Sequence, residues 1–332
     1  MNTLSFRAPL IAAVTMVLAA GCATAGSNGV LAKPEEPNVT VAAIPAADLA
    51  GLYLAQDDGL FARQGLHVTI EPIPSSQAVI ADQLKGQVDI SAGSYVAYIA
   101  AQAAGARFRI LAEASTLKPD TRALVTTADS PITTIAGLVG KKIGVHGTNS
   151  IGTLLISALL QENGISPKKV RFITDPDGFP AMPGQLQDGA WNAAFLAEPY
   201  VTAAGEDYGD RELADLDQGA TTSFPVDGYV ATRTWAEKYP KTAAAFVRAI
   251  EAGQALANSD ASAVQAAMGM SDKLPSGVTS LMALPGYPVG LVDKTRLQRV
   301  ATAMLQFGLL GKEYTTEVGQ GTLVESMVGP GS

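Results

Sequence analysis

Cysteine and histidine are nearly absent from this chain of 332 residues, which has one cysteine and two histidines. A single cysteine excludes a disulfide within the chain and any Cys-x-x-Cys motif. Gly-x-Ser-x-Gly and His-Glu-x-x-His, the spacings typical of serine hydrolases and zinc proteases, do not occur. Because acids and histidines do not cluster at ligand spacing, we expect neither a metal site nor a cofactor.

Positive charge is also scarce. The chain has 23 Lys and Arg against 31 Asp and Glu, which gives a net charge of -8 at pH 7. An acidic surface repels phosphate, so neither nucleic-acid binding nor electrostatic binding to anionic lipid is expected. The apolar content of 47% is too high for general disorder, and the length is sufficient for two packed lobes.

The first 21 residues are typical of a signal peptide. Arg7 supplies positive charge, and the apolar stretch Ala8–Ala20 is too short for an ordinary membrane span. Small residues then precede Cys22, which predicts cleavage before this residue and lipid attachment to its sulfur; the alternative is an ordinary signal peptide with an unrelated cysteine. Lipidation would place the protein at the cell membrane, anchored on the extracytoplasmic face. Residues 22–37, rich in Gly, Ser, Ala, Pro and Glu, are predicted to be a flexible tether.

From Val39 onward, short apolar runs alternate with helical segments. This alternation is typical of an α/β fold in which a mostly parallel sheet is covered by helices on both faces. The pattern continues to a strand over residues 108–114 and restarts after residue 121, which predicts two βα arrays in series. The last third of the chain is mainly helical.

Several helices have recognisable start signals. A single helix is predicted from about Leu49 to Arg63, and Ser150 is predicted to begin a helix that ends near Asn163. Ser130-Pro131 predicts a short helix, with serine as the cap and proline at the first position. Thr234-Trp-Ala-Glu237 has the form of a capping box.

Short polar side chains follow several predicted strands at the point where each strand ends. In open α/β sheets, ligands bind at the carboxyl ends of strands, beside helix N termini with free N–H groups. Some of these side chains could equally be helix caps. The candidate ligand-binding residues are Asp48, Ser94, Tyr95, Ser115, Thr148, Asn149, Ser150, Asp175 and Glu198.

Two further motifs favour other interpretations. His146 stands at a strand end, but no partner is identifiable, so a structural role is favoured over ligand contact. Gly144, Gly147 and Gly152, with Asp175 further on, have the spacing G-x-x-G-x-x-x-x-G and not the G-x-G-x-x-G of dinucleotide sites. Nucleotide binding is therefore not expected.

Six segments of the sequence resemble a family of substrate-binding proteins. That family serves ABC importers of aliphatic sulfonates, taurine, nitrate and thiamine-precursor pyrimidines. The similar segments cover nearly the whole chain after the tether and are Gly51–Val68, Gly86–Gly93, Leu138–Val145, Asn149–Gly152, Gln185–Pro199 and Tyr239–Ala252.

The resemblance implies a two-lobe, hinged periplasmic-binding fold. Lobe 1 would comprise residues 38–124 plus 224–332 and lobe 2 residues 125–223, with chain crossings near Val125 and Asp227. A monomer of this kind would bind a small solute between its lobes and deliver it to an ABC permease and its ATPase without catalysis. Glu198 in the cleft would repel anions, which favours a nitrogen-bearing solute.

Two alternatives stay open on the sequence alone. Some relatives of this fold are enzymes that synthesise the thiamine pyrimidine, but the cofactor lysine and cysteine-rich motif that they use are not identifiable here. A lipoprotein that presents its solute to a membrane sensor would have the same sequence features as one that serves a permease.

Overall fold

The computed structural model describes residue 1 and residues 32–272 and 274–328. The predicted signal peptide after Met1, the lipidation site Cys22 and the predicted tether up to residue 31 lie outside this range. No helix within the described ranges is both long and apolar enough to cross a membrane.

Ten strands of the described chain form two sheets of five strands each. The first sheet has the order β2-β1-β3-β10-β4 and the second has the order β7-β6-β8-β5-β9. The strands are Asn38–Ala43 (β1), His67–Pro72 (β2), Ile90–Ser94 (β3), Phe108–Glu113 (β4), Arg122–Thr126 (β5), Lys142–Val145 (β6), Arg171–Thr174 (β7), Ala193–Ala197 (β8), Arg211–Asp215 (β9) and Asp227–Thr232 (β10).

Four strands of each sheet point the same way and one runs against them. In the first sheet the opposed strand is β10, which is antiparallel to both β3 and β4. In the second sheet it is β5, which is antiparallel to both β8 and β9. Each opposed strand is the first to follow a crossing from the other sheet, because the chain leaves the first sheet after β4 and returns after β9.

Helices cover the faces of both sheets. The first seven are Ala50–Asp57 (α1), Leu60–Arg63 (α2), Ser76–Leu84 (α3), Tyr95–Ala103 (α4), Ile151–Glu162 (α5), Met182–Gln187 (α6) and Tyr200–Tyr208 (α7). Those that follow are Arg233–Lys238 (α8), Pro240–Ser259 (α9), Ala261–Asp272 (α10), Ser276–Leu281 (α11), Lys294–Gln306 (α12), Thr315–Gln320 (α13) and Thr322–Glu325 (α14).

Alternate residues of β1 face two different cores. Val39 and Val41 pack with Phe246 and Ile250 of α9 on one face of the first sheet. Ala42, on the other face, belongs to a core that includes α4 and α12 and continues into the second sheet. The two halves are therefore packed together, and the described residues from Lys33 to Val328 form one compact unit.

The two crossings lie side by side. Residues 114–121 and 216–226 are joined by backbone hydrogen bonds, from Leu117 N–H to the Phe224 carbonyl (2.9 Å) and from Val226 N–H to the Ser115 carbonyl (3.1 Å). The first crossing therefore precedes Arg122 and lies a few residues before the position predicted near Val125. Since the crossings are the chain's passages between the sheets, we assign β5–β9 to lobe 2 and the other strands to lobe 1.

The described end of the predicted tether is attached to lobe 1. The Glu35 carboxylate accepts hydrogen bonds from the N–H groups of Lys241 and Thr242 (both 3.0 Å), the first free donors of α9. Burial opposes its charge, but these hydrogen bonds outweigh that effect and lower the pKa of Glu35. Pro34 is buried. Residues 34–37 therefore belong to the folded body and not to a flexible tether.

Two predicted helix starts and one predicted helix length differ from the structure. The segment after Ser130-Pro131 is not helical, and a 3₁₀ turn begins only at Ile135. The cap of α8 is Thr232, which accepts from the Trp235 N–H, and not the predicted Thr234. The helix expected from Leu49 to Arg63 is interrupted by Gly59 at a φ of +64°.

Candidate functional site

An arginine lies between two carboxylates where the lobes meet. Arg122, the first residue of β5, contacts the carboxylates of Asp48 (3.0 Å) and Asp227 (2.9 Å) through Nη2. The Ser115 hydroxyl donates to the other oxygen of Asp48 (2.8 Å). All four side chains are buried. We call this group the acid–arginine cluster; it connects both crossings to the loop that precedes α1.

The acid–arginine cluster contains two carboxyl groups for one guanidinium. Burial opposes the charge of Arg122, but the two carboxylates outweigh burial and raise its pKa. Burial raises the pKa of Asp227, and Arg122 opposes this shift while the charge of Asp48 adds to it. One guanidinium therefore does not compensate two buried carboxylates, and Asp227 retains a proton more readily than an ordinary aspartate.

Lobe 2 adds an aromatic wall to this site, consisting of His146, Phe179, Phe195 and Tyr200. The His146 ring lies 4.7 Å from that of Phe179 and 5.5 Å from that of Phe195, measured between centroids. The Arg122 guanidinium carbon is 5.7 Å from the Phe195 centroid, which permits a cation–π contact.

A small central cavity is lined by members of both the acid–arginine cluster and the aromatic wall. Its volume is about 10 Å³, close to the minimum that holds one water molecule. Two buried atoms of lining residues have no hydrogen-bond partner within the described chain, Nε of Arg122 and Nδ1 of His146. The cavity is lined by Ile44, Ala46, Leu49, Gly93, Arg122, His146, Phe179 and Asp227.

Glu198 joins the lobes through its carboxylate and its backbone carbonyl. Its carboxylate accepts from the Thr202 N–H (3.1 Å), the Thr202 hydroxyl (2.8 Å) and the Ala283 N–H (3.1 Å). Its backbone carbonyl accepts from the N–H of Ala47 in lobe 1 (2.8 Å). Burial raises the pKa of Glu198, and the hydrogen bonds from Thr202 and Ala283 lower it. Because donors of the protein itself occupy the Glu198 carboxylate, Glu198 does not support the predicted preference for a nitrogen-bearing solute.

Two of the predicted site residues are helix caps. Ser94 accepts from the Val96 N–H at the start of α4, and Ser150 accepts from the Thr153 N–H at the start of α5. Tyr95, next to Ser94, is fully buried and packs so closely on Gly228 that a Cβ there would lie 2.4 Å from its ring. The side chains of these three residues therefore make structural contacts: two of them cap helices and the third packs on β10.

The remaining predicted residues lie on other parts of the cleft. Thr148 and Asn149 are exposed and line a groove of about 520 Å³ between α5 and the end of α12. Gln77 of lobe 1 donates to the Asn149 carbonyl (2.7 Å), a further connection between the lobes. Asp175 is buried, and its Oδ1 accepts from the Asp177 N–H (2.9 Å). Asp48 and Ser115 are thus the predicted residues that the structure brings together with Arg122.

The main residues of this site lie in the part of the chain that matches a known sequence family. A family model described as NMT1/THI5 like matches residues 46–262, well over half of the chain. The chain belongs to the NMT1/THI5-like family. The matched range contains the whole acid–arginine cluster, the aromatic wall and both crossings.

This NMT1/THI5-like chain is also similar to individual proteins. A putative aliphatic sulfonates-binding protein of Escherichia coli K12 is 32% identical over 156 residues, a match that spans 46% of this chain and 46% of the relative's length. The alkanesulfonate-binding protein SsuA of Xanthomonas axonopodis pv. citri, solved bound to MOPS, has a TM-score of 0.72 at 17% identity and covers 84% of this chain and 96% of its own. The nitrate-binding protein NrtA of Synechocystis PCC 6803 has a TM-score of 0.74 at 15% identity and covers 89% of each chain.

These structures confirm the predicted fold class, an α/β solute-binding-protein fold with two sheets flanked by helices. At such low identity the likeness concerns the fold, and a fold by itself does not determine a function. The function of this NMT1/THI5-like chain therefore depends on the chemistry of its own cleft.

Two residues of this NMT1/THI5-like cleft, Arg122 and Asp227, are not among the predicted ligand-binding residues. For His146 the sequence favours a structural role, and in the structure its Nδ1 is buried without a hydrogen-bond partner in the described chain. One signal was available for Arg122, because it is a lone charge at the start of the apolar strand Ala123-Leu-Val125. A charge at such a position needs a buried partner, and Asp48 and Asp227 are those partners.

Replacing Glu198 with glutamine tests its role in joining the lobes. The amide nitrogen cannot accept a hydrogen bond, so either the Thr202 or the Ala283 N–H loses its acceptor. We expect the free energy of unfolding to fall by about 1–3 kcal/mol in urea denaturation. Glu206→Gln, an exposed position on α7, the helix that follows Glu198, is the control and should stay within about 0.5 kcal/mol of the original. Equal stability of the two variants would contradict this role.

Proposed function

We propose that this protein is an extracytoplasmic solute-binding protein that captures a small polar molecule between its lobes and delivers it to an ABC importer. The observation that carries this proposal is the meeting of buried polar groups from both lobes beside the two crossings. Asp48 comes from lobe 1, and Arg122 and His146 come from lobe 2. Buried charges are costly to place in a protein interior, so their concentration at a junction that can open indicates function more than stability.

Capture requires movement of the lobes, because the central cavity has room for about one water molecule. We infer that the lobes part by bending within residues 114–121 and 216–226. Strand pairing on both sides limits bending in β5 and β10 themselves. A solute that contacts both lobes favours the closed state, since only that state makes all of its contacts.

The charge of the cleft favours a nitrogen-bearing solute over a simple oxyanion. Among the described residues, the two buried carboxyl groups of Asp48 and Asp227 contact the single guanidinium of Arg122, while Arg296 is paired with Glu113 (2.8 Å). An excess of acid repels an anion and attracts N–H groups. The proposed solute therefore differs in charge from the sulfonates and nitrate in the names of the similar proteins.

A thermal-shift screen of the chain that begins at Ala23 tests solute binding. A molecule that binds only the folded state raises the melting temperature as its concentration exceeds its dissociation constant. Taurine, alkanesulfonates, nitrate, pyrimidines, amides and amines form the library, and small-angle X-ray scattering follows closure. We expect a nitrogen-bearing compound to stabilise the protein without being consumed. Turnover of a bound compound would contradict the proposal, and so would binding without contraction.

The proposed location depends on Cys22. If this residue is acylated, Cys22→Ser in the full chain should move the protein from the membrane fraction of expressing cells to the soluble fraction and abolish labelling with a fatty-acid analogue. Ser27→Ala in the same segment is the control and should remain at the membrane. Retention of Cys22→Ser at the membrane would contradict lipid anchoring.

A further inference from the structure

Two residues that line the central cavity each have a buried polar atom without a hydrogen-bond partner in the described chain. Arg122 and His146 are each about 2% exposed, and neither Nε of the arginine nor Nδ1 of the histidine is paired within the described chain. An unpaired buried polar group costs about 1–3 kcal/mol. Two such groups beside one cavity are unusual in a folded protein, and they call for a bound group that offers one polar atom to each of them.

The two atoms differ in what they can bind. Nε of arginine carries a hydrogen and can only donate, whereas Nδ1 of a neutral histidine can accept or donate. The His146 ring is neutral at physiological pH, since burial, aided by the charge of Arg122, lowers its pKa to about 3. A group that offers an acceptor to Arg122 and an N–H to His146 therefore satisfies both atoms.

The surroundings restrict the charge and shape of that group. Asp48 and Asp227 already hold the Nη2 end of Arg122, so this guanidinium has little positive charge left uncompensated for an anion. Phe179, which lines the same cavity, presents a flat apolar ring next to His146. A neutral planar group matches both conditions, because it needs no counter-charge and can pack against the ring.

We infer that the solute carries a neutral O=C–N–H unit, as in an amide, lactam or urea, whose oxygen accepts from Nε of Arg122 and whose N–H donates to Nδ1 of His146. This inference rests on the proposed function and narrows it to one class of solute. Arg122 and His146 are the residues that determine specificity. The carboxyl groups of Asp48 and Asp227 hold the arginine in position.

Size-matched probes test the charge requirement on the full chain. Acetamide, N-methylurea and 2-pyrrolidinone carry the unit, whereas acetate, methanesulfonate and acetamidinium are ionic controls of similar size. Thermal shift and calorimetry at up to 50 mM should show saturable binding of at least one amide probe, at least tenfold tighter than any ionic control. Tighter binding of an ionic probe, or no binding of any amide probe, would overturn the inference.

Variants of His146 separate specificity from folding. His146→Phe keeps an aromatic ring and removes the nitrogen, so amide affinity should fall at least tenfold while the melting temperature of the free protein does not fall. His146→Asn, which offers an amide in place of the ring nitrogen, should retain more affinity than His146→Phe. Unchanged affinity in His146→Phe would refute the assignment, and a phenylalanine variant that fails to fold leaves the asparagine variant and the probe series as tests.

The arginine is tested by Arg122→Lys. Lysine keeps a positive charge near Asp48 and Asp227 but has no Nε–H, so amide affinity should fall about tenfold or more. Binding of taurine or an alkanesulfonate without any amide probe would overturn this inference and leave the proposed function intact. A full solute library that gives neither binding nor closure would remove the proposed function as well.

Discussion

Replacing Arg122 with methionine is expected to lower the free energy of unfolding by about 3–5 kcal/mol at pH 8. The substitution leaves the carboxylates of Asp48 and Asp227 in a buried site without their cation. Removal of one partner is the costly change in a buried ion pair, because the remaining charge has lost both its water and its counter-ion. Urea denaturation followed by circular dichroism measures the loss.

The loss should depend on pH. Burial and the neighbouring charge of Asp48 already raise the pKa of Asp227 to about 7 although Arg122 opposes the shift. In the variant that opposition is gone, so the folded pKa rises further above the unfolded value near 4. A carboxyl group whose pKa is higher in the folded than in the unfolded protein lowers the free energy of unfolding, and this loss is complete above the folded pKa. As pH falls towards the unfolded pKa, the carboxyl group becomes protonated in both states and the loss disappears. The deficit of Arg122→Met should therefore shrink between pH 8 and pH 5.

A triple variant provides the control. Asp48→Asn, Arg122→Met and Asp227→Asn together remove all three charges, so the triple variant should be more stable than Arg122→Met alone, with little dependence on pH in this range. The three effects should be strongly non-additive, because the side chains are in direct contact. An Arg122→Met deficit that is equal at pH 5 and pH 8 would contradict the assigned charges.

Gly253→Ala is expected to destabilise the protein by about 3 kcal/mol, at the upper end of the range for overpacking. A Cβ at this position of α9 would lie 2.1 Å from the carbonyl oxygen of Gly51 in α1. Because the obstacle is backbone, the two helices must move apart. In a helix interior without such an obstacle, alanine is more favourable than glycine by about 1 kcal/mol. A decrease in the free energy of unfolding would therefore show that the close approach of the two helices outweighs helix propensity.

The same substitution should weaken solute binding. The turn Ala47–Leu49, which carries Asp48, leads directly into α1, so a displacement of α1 changes the position of that carboxylate. Thermal denaturation and calorimetry with a compound identified in the screen measure both effects. Gly319→Ala in α13 is the matched control, since no heavy atom lies within 4 Å of a Cβ there, and it should be neutral or slightly stabilising. A stable Gly253→Ala variant would show that the helices separate easily.

Local signals in the sequence were sufficient to predict a helix start where a single residue forms the capping hydrogen bond. Ser150 begins α5 as its side-chain cap, as predicted, because its hydroxyl bonds to an N–H only three residues away. The signal at Ser130 was incomplete. Its hydroxyl does accept from the Ile132 N–H (3.2 Å), but Ile132, Thr133 and Thr134 are β-branched and disfavour a helix. Thr232 and Thr234 are both possible caps for α8 in the sequence. Thr232 is the cap because β10 ends there and the helix begins at the next residue.

Strand β9 was missed because its sequence, Arg-Glu-Leu-Ala-Asp, is polar. It lies at the edge of the second sheet, where one side is free and apolar alternation is weak. The acid–arginine cluster could not be predicted for a different reason. Asp48, Arg122 and Asp227 are separated by 74 and 105 positions, and no local pattern relates residues so far apart. Only the paired crossings, which bring the first residues of β5 and β10 together, place these side chains within bonding distance.

The attachment of Glu35 to α9 fixes where the N-terminal segment leaves the body. Asn38 and His67 begin β1 and β2 at that edge, whereas the cleft lies at the carboxyl ends of the same strands, about 20 Å away. If Cys22 is held in a bilayer, as proposed, the cleft lies on the side of lobe 1 away from the point where the N-terminal segment joins it. The twelve residue steps from Cys22 to Pro34 extend at most about 40 Å, so docking on the proposed permease would require the whole body to turn over within that radius.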